Sequence, residues 1–146
     1  MDYDFFTGVY FYNQWIFNNL CLIIPEIMKI HPSELYLYHN SAQLNVKQTL
    51  AYAKSITRFV NEIDIVKEKV TTTQWNSLLL KLNLRAKDLL NRAHPVYQNL
   101  IAGNDWDEDS WLQILVRYPY LIKSPIAIFR DKAILCNTPT DILKLN

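Results

Sequence analysis

Glycine is nearly missing from this chain of 146 residues, which has only two, alongside six prolines. That scarcity excludes collagen-like and flexible low-complexity sequence and argues against all-β folds, whose frequent turns draw on glycine. Cysteine is equally scarce: Cys21 and Cys136 are too few for a disulfide framework or a four-cysteine zinc site, and a reducing, cytoplasmic setting fits them best. A surplus of either charge is also lacking. Fifteen Lys and Arg against 14 Asp and Glu leave a formal +1, so the chain is neither polybasic nor a charged, disordered polymer. What is present is hydrophobic for 50% of its length, enough for one compact domain with a true core.

The near-neutral total hides an asymmetry. Residues 1–27 hold Asp2, Asp4 and Glu26 but no Lys or Arg, and eight aromatic residues crowd between Tyr3 and Phe17. All 15 bases and 11 of the 14 acids therefore fall after Glu26, a formal +4. The leading stretch lacks the basic start and small-residue cleavage site of a secretory signal. Asn13, Gln14, Asn18 and Asn19 interrupt it as a membrane span, so a membrane role is not expected. It reads as an extension of the domain: an arm or extra helix, a weak anchor, or residues upstream of a natural start at Met28. The domain proper is expected over residues 28–146.

Within it, Glu34 to Tyr38 alternates polar and apolar and predicts a strand, and a polar turn follows at His39 to Ser41. Val46, Leu50 and Ala53 recur at helical spacing, predicting a helix over about 42–56 with Asn40 or Ser41 as its cap. Phe59 to Ile65 alternates again and predicts a second strand, parallel to the first because a helix separates them. Thr71 to Gln74 has capping-box spacing ahead of a Trp75, Leu78, Leu79, Leu82 stripe. A short helix is expected over 86–92, stopped by His94-Pro95. Another opens at the acids Asp105, Asp107, Glu108 and Asp109, faces inward through Trp111, Ile114 and Leu115, and ends at Tyr118-Pro119. Ile126 to Phe129 and Ala133 to Cys136 predict a tight hairpin, and Thr138-Pro139 opens a last helix anchored by Ile142 and Leu145. The class is α/β, in the order β-α-β, helical insertion, β-β-α. This is the thioredoxin-like order around a small mixed sheet.

Several short runs then carry a resemblance. Tyr38-His39-Asn40 leading into a helix, Arg85 to Leu90 followed by Tyr97, Leu121 to Ile126 before a strand, and Pro139 opening a terminal helix together resemble the arsenate reductase-like family. That family includes glutaredoxin-dependent arsenate reductases and the Spx regulators, and the resemblance runs from about Leu35 to the C-terminus. It implies a cis peptide before Pro125, facing the active-site loop. It also implies a cysteine at the start of the first helix, where backbone N–H groups and the helix dipole lower a thiol's pKa and yield the nucleophilic thiolate. Gln43 stands at that cysteine's position, Val46 at that of the serine or second cysteine, and Lys47 at that of an arginine. A glutamine amide cannot exchange disulfides. The family's oxyanion-binding arginines fall on Ser124, near Asn137 and at Lys87, and serine and asparagine do not replace a guanidinium fork.

No other residue offers an obvious rescue. Cys136, at a strand end, reads as a small core residue, and Cys21 lies in the leading stretch. His39 with Ser41 lacks an orienting acid as a nucleophile pair, and His31, His39 and His94 lack metal-ligand spacing. Lys47, Lys54, Arg58, Lys81, Arg85, Lys87 and Arg92 form no cluster and accompany no phosphate loop, so nucleic acid is not an expected partner.

The surface left by the missing thiol is still a candidate site for an anion, a small thiol or an extended peptide: His39, Asn40, Ser41, Gln43, Asn45, Lys47, Lys87, Ser124 and Pro125. The expectation is a family member without thiol redox catalysis that serves in binding or regulation, with a protein as partner and no resident cofactor. The alternatives are a reductase or transferase that uses bound glutathione as its thiol, and an Spx-like regulator contacting RNA polymerase.

Overall fold

A computed structural model describes residues 31–146, so the extension over residues 1–27 lies outside the described residues. Four strands, β1 (Glu34–His39), β2 (Phe59–Asp64), β3 (Ile126–Phe129) and β4 (Lys132–Leu135), form one mixed sheet in the order β2-β1-β3-β4. β1 runs parallel to β2 and antiparallel to β3, and β3 is antiparallel to β4. The parallel pair follows from its crossover helix α1 (Val46–Ile56), and the β3-β4 pair closes on the two-residue turn Arg130-Asp131. Arg130 takes the left-handed region there (φ 56°) with its guanidinium over the Phe129 ring.

Each face of the sheet carries its own core. The period-two alternation of the central strands sends Tyr38, Ile126 and Ile128 to one side and Leu35, Leu37, Ala127 and Phe129 to the other. On the first side lies the helical insertion: α2 (Thr72–Leu82), α3 (Ala86–Leu89), a π-helical turn (Tyr97–Ile101), α4 (Glu108–Arg117) and a 3-10 turn (Pro119–Leu121). Trp75, Leu78, Leu79, Trp111, Ile114 and Leu115 supply its buried stripe, as their helical spacing predicts. Against the other side pack α1, through Ala53, and a terminal 3-10 helix (Pro139–Leu145), through Ile142 and Leu145. Among the described residues no helix is long and apolar enough to cross a membrane.

Three elements depart from expectation. α1 begins at Val46, four residues later than its apolar spacing suggests, because Asn40 holds the preceding chain in turns: its side-chain oxygen accepts from the Ala42 N–H at 3.0 Å and its carbonyl from the Gln43 N–H at 2.9 Å. Asn40 and Ser41 therefore do not cap the helix; its N-cap is Asn45, whose side chain makes no capping bond. α3 stops at Leu89 rather than near Arg92, since Leu90 bridges to Ile122 and the Asn91 N–H donates to the Leu121 carbonyl. The last helix has 3-10 geometry, held by the reciprocal bonds of Thr138 and Asp141.

Candidate functional site

The loop from Asn40 to Asn45 leaves the C-terminal end of β1 in the centre of the sheet, directly beside the residues that lead into β3. Its turns aim Gln43 across at Ser124, 81 positions later in sequence, whose hydroxyl donates to Gln43 Oε1 at 2.8 Å. Ser124 is buried, and the peptide bond between it and Pro125 is cis. The Pro125 carbonyl accepts the Cys136 N–H at 2.8 Å, which brings the end of β4 to the same place.

These segments enclose an open cavity of about 190 Å³ whose polar lining comes from Gln43, Asn91, Lys123, Ser124 and Asn137. Tyr120 and Cys136 also border it. Donors dominate. Among the described residues the Gln43 carboxamide nitrogen, with Oε1 engaged by Ser124, is left without a partner, and no carboxylate lines the cavity. Asn91 uses its side-chain oxygen on the Ala93 N–H, so its NH2 group is spare. Lys123 Nζ donates to the Asp88 carbonyl at 3.0 Å, which consumes one of its three donors. Cys136 offers no reactive thiol, because burial, with Asp141 adding to it, pushes its pKa up to about 12.

Of the residues singled out from sequence, Gln43, Ser124 and Asn137 line the cavity. Pro125 adjoins it, and Asn40 supports it by bonding the backbone of Gln43. Lys47 is exposed on the first turn of α1 and Lys87 half-buried on α3; neither lines the cavity. Asn45 accepts the Thr49 hydroxyl on its carbonyl at 3.0 Å. Lys123 and Asn91 were missed. The signal for Lys123 was its place beside Ser124-Pro125, whereas Asn91 reaches the site only through the pairing of Leu90 with Ile122, which no local pattern announces.

His39 and Ser41 belong to a second polar group on the face of the sheet covered by α1. His39 Nε2 lies 3.7 Å from Glu62 Oε2, and Asp64, opposite His39 in register, is buried beside Lys67. Burial acts to raise the Asp64 pKa, but the Ser41 hydroxyl, the Val66 N–H and Lys67 outweigh it and hold the carboxyl at about 2. Among the described residues no hydrogen bond joins Ser41 to His39, whose Nδ1 is buried without a partner, so the two do not form a nucleophile pair. Among the described residues no group of His, Cys, Asp and Glu is placed to hold a metal ion.

No family model matches the sequence, and no curated protein matches it either. Solved structures do match. An arsenate reductase from Vibrio cholerae superposes with a TM-score of 0.72 over 80% of this chain and 100% of its own, at 18% identity. A protein from Yersinia pestis assigned as an arsenate reductase gives 0.70 over 75% and 98%, at 22% identity. An arsenate reductase related protein from Brucella melitensis gives 0.58 over 77% and 93%, at 16% identity. The fold of the described residues is thus that of the arsenate reductase-like proteins, a thioredoxin-like α/β fold.

Proposed function

We propose that this chain is a divergent relative of the arsenate reductases whose fold it shares, working as a binding or regulatory module without thiol redox catalysis. One observation carries the reading. At the loop position where the resemblance calls for a nucleophilic cysteine stands Gln43, its carboxamide tied to Ser124 at 2.8 Å. An amide neither attacks an oxyanion nor exchanges disulfides, and Cys136, which borders the cavity, has its thiol pushed up to about 12. What persists is a recess that presents amide and ammonium donors and, among the described residues, no acid. Such a lining suits a small anion, or a carboxylate-bearing thiol such as glutathione, and its protein partner would contact the same rim. Exposed Leu44, at the tip of the loop, would take part in that contact.

The test is glutathione-dependent reduction of arsenate and of a mixed disulfide by the full chain, with and without glutaredoxin, beside Gln43→Ala and Cys136→Ser variants. No turnover above the reagents alone is expected in any of the three. Turnover that disappears in Gln43→Ala overturns the binding reading in favour of a reductase using glutathione as its thiol. Affinity capture with the full chain addresses the partner, and retrieval of RNA polymerase subunits would favour an Spx-like regulator.

A further inference from the structure

β2 is an edge strand with one neighbour, β1, among the described residues. The Ile65 N–H donates to the His39 carbonyl at 2.9 Å, which sets the phase of the parallel ladder: Asn61 and Ile63 turn their backbone groups toward β1, while Val60 and Glu62 turn theirs outward. No turn, loop or side chain among the described residues takes up the N–H or carbonyl of Val60 or Glu62. The strand carries two acids, Glu62 and the buried Asp64, but it pairs without interruption over six residues and holds no proline, bulge or lysine. Phe59 on this edge is 62% exposed.

We propose that two copies of the chain join their sheets antiparallel through β2, with Asn61 on the two-fold axis. A two-fold axis normal to the sheet returns each side chain to its own face, so only registers that match residues of the same facing are allowed. Centring on Glu62 sets two carboxylates against each other, which is repulsive. Centring on Val60 leaves only three strand residues of each copy overlapping. Centring on Asn61 overlaps five, sets exposed Phe59 against the partner's half-buried Ile63, and matches the outward groups of Val60 with those of Glu62. Apolar groups then meet apolar groups without opposed carboxylates, and the backbone groups left open on each copy satisfy those of the other.

Sedimentation equilibrium of the full chain over increasing concentration tests the association. The apparent mass should climb from the 17.2 kDa of the monomer toward twice that value. Register is read by cysteine cross-linking. Asn61 pairs with itself at a non-hydrogen-bonded position, where Cα atoms lie about 4.5 Å apart, within disulfide reach. Asn61→Cys should therefore give a covalent dimer under mild oxidation, at a rate that falls on dilution, and the unsubstituted chain should not. A mass that stays monomeric at every concentration overturns the proposal, as does cross-linking of Val60→Cys at or above the rate of Asn61→Cys.

Discussion

Asp64 shows how far a single side chain escapes a sequence reading. Its strand and facing follow from the alternation of residues 59–65, and it lies on the same face as Val60 and Glu62, as that pattern implies. Nothing local announces that the Ser41 hydroxyl, 23 positions earlier, would reach it and help hold its carboxyl at about 2. Because the folded value lies below that of an unfolded aspartate, about 3.9, Asp64 contributes stability that is complete above about pH 4 and is lost as pH falls toward 2. Urea midpoints measured down that range should therefore drop more steeply for the parent chain than for Asp64→Asn. A residual slope is expected in the variant, because Lys144 and the Thr138 N–H hold Asp141 at about 2 as well. Identical slopes in parent and variant would remove Asp64 from the account.

Among the elements, those whose signals are wholly local came out as read. The Thr71 side chain accepts the Gln74 N–H while the Gln74 side chain accepts the Thr71 N–H, and α2 starts there. Replacing Thr71 by Ala should cost about 1 kcal/mol of unfolding free energy, measured by urea denaturation. The Gln74→Ala loss should be smaller on that background than on the parent, since the two bonds depend on each other. Elements whose ends are decided by a tertiary partner, or by a side-chain turn that competes with the helix, depart from their spacing. α3 ends where Leu90 joins Ile122, and α1 starts late because Asn40 offers the chain a competing turn. That delay matters for the site. Gln43 sits in a turn ahead of α1 and is not on its first turn, so the open N–H groups of the helix begin three residues beyond it.

At the scale of the molecule, the two cores share the central strands, so neither can loosen without the other. Leu115 belongs to the larger core and Ile142 to the smaller, and both are fully buried. Substitution of either by Ala should cost about 2–5 kcal/mol. Trp75 and Trp111 report on the larger core only. Even so, Ile142→Ala should shift the tryptophan fluorescence transition as far as the circular dichroism transition, because β1 and β3 transmit the loss to both faces. A fluorescence midpoint left at the parent value would mean that the two cores unfold separately.

The sequence by itself determined the α/β class, the element order, the parallel β1-β2 pair, the β3-β4 hairpin and the inward stripes of the helices. Each of these rests on hydrophobic period and on caps encoded within a few residues. It also established that no cysteine stands in the loop after β1, since that is a matter of residue identity. Only the tertiary structure decided which polar groups meet: Gln43 with Ser124, Asn91 and Lys123 at the same cavity, and His39 with Glu62. Those contacts join residues as many as 81 positions apart. Their geometry depends on how strands and turns close in space, which the spacing of side chains along the chain does not encode.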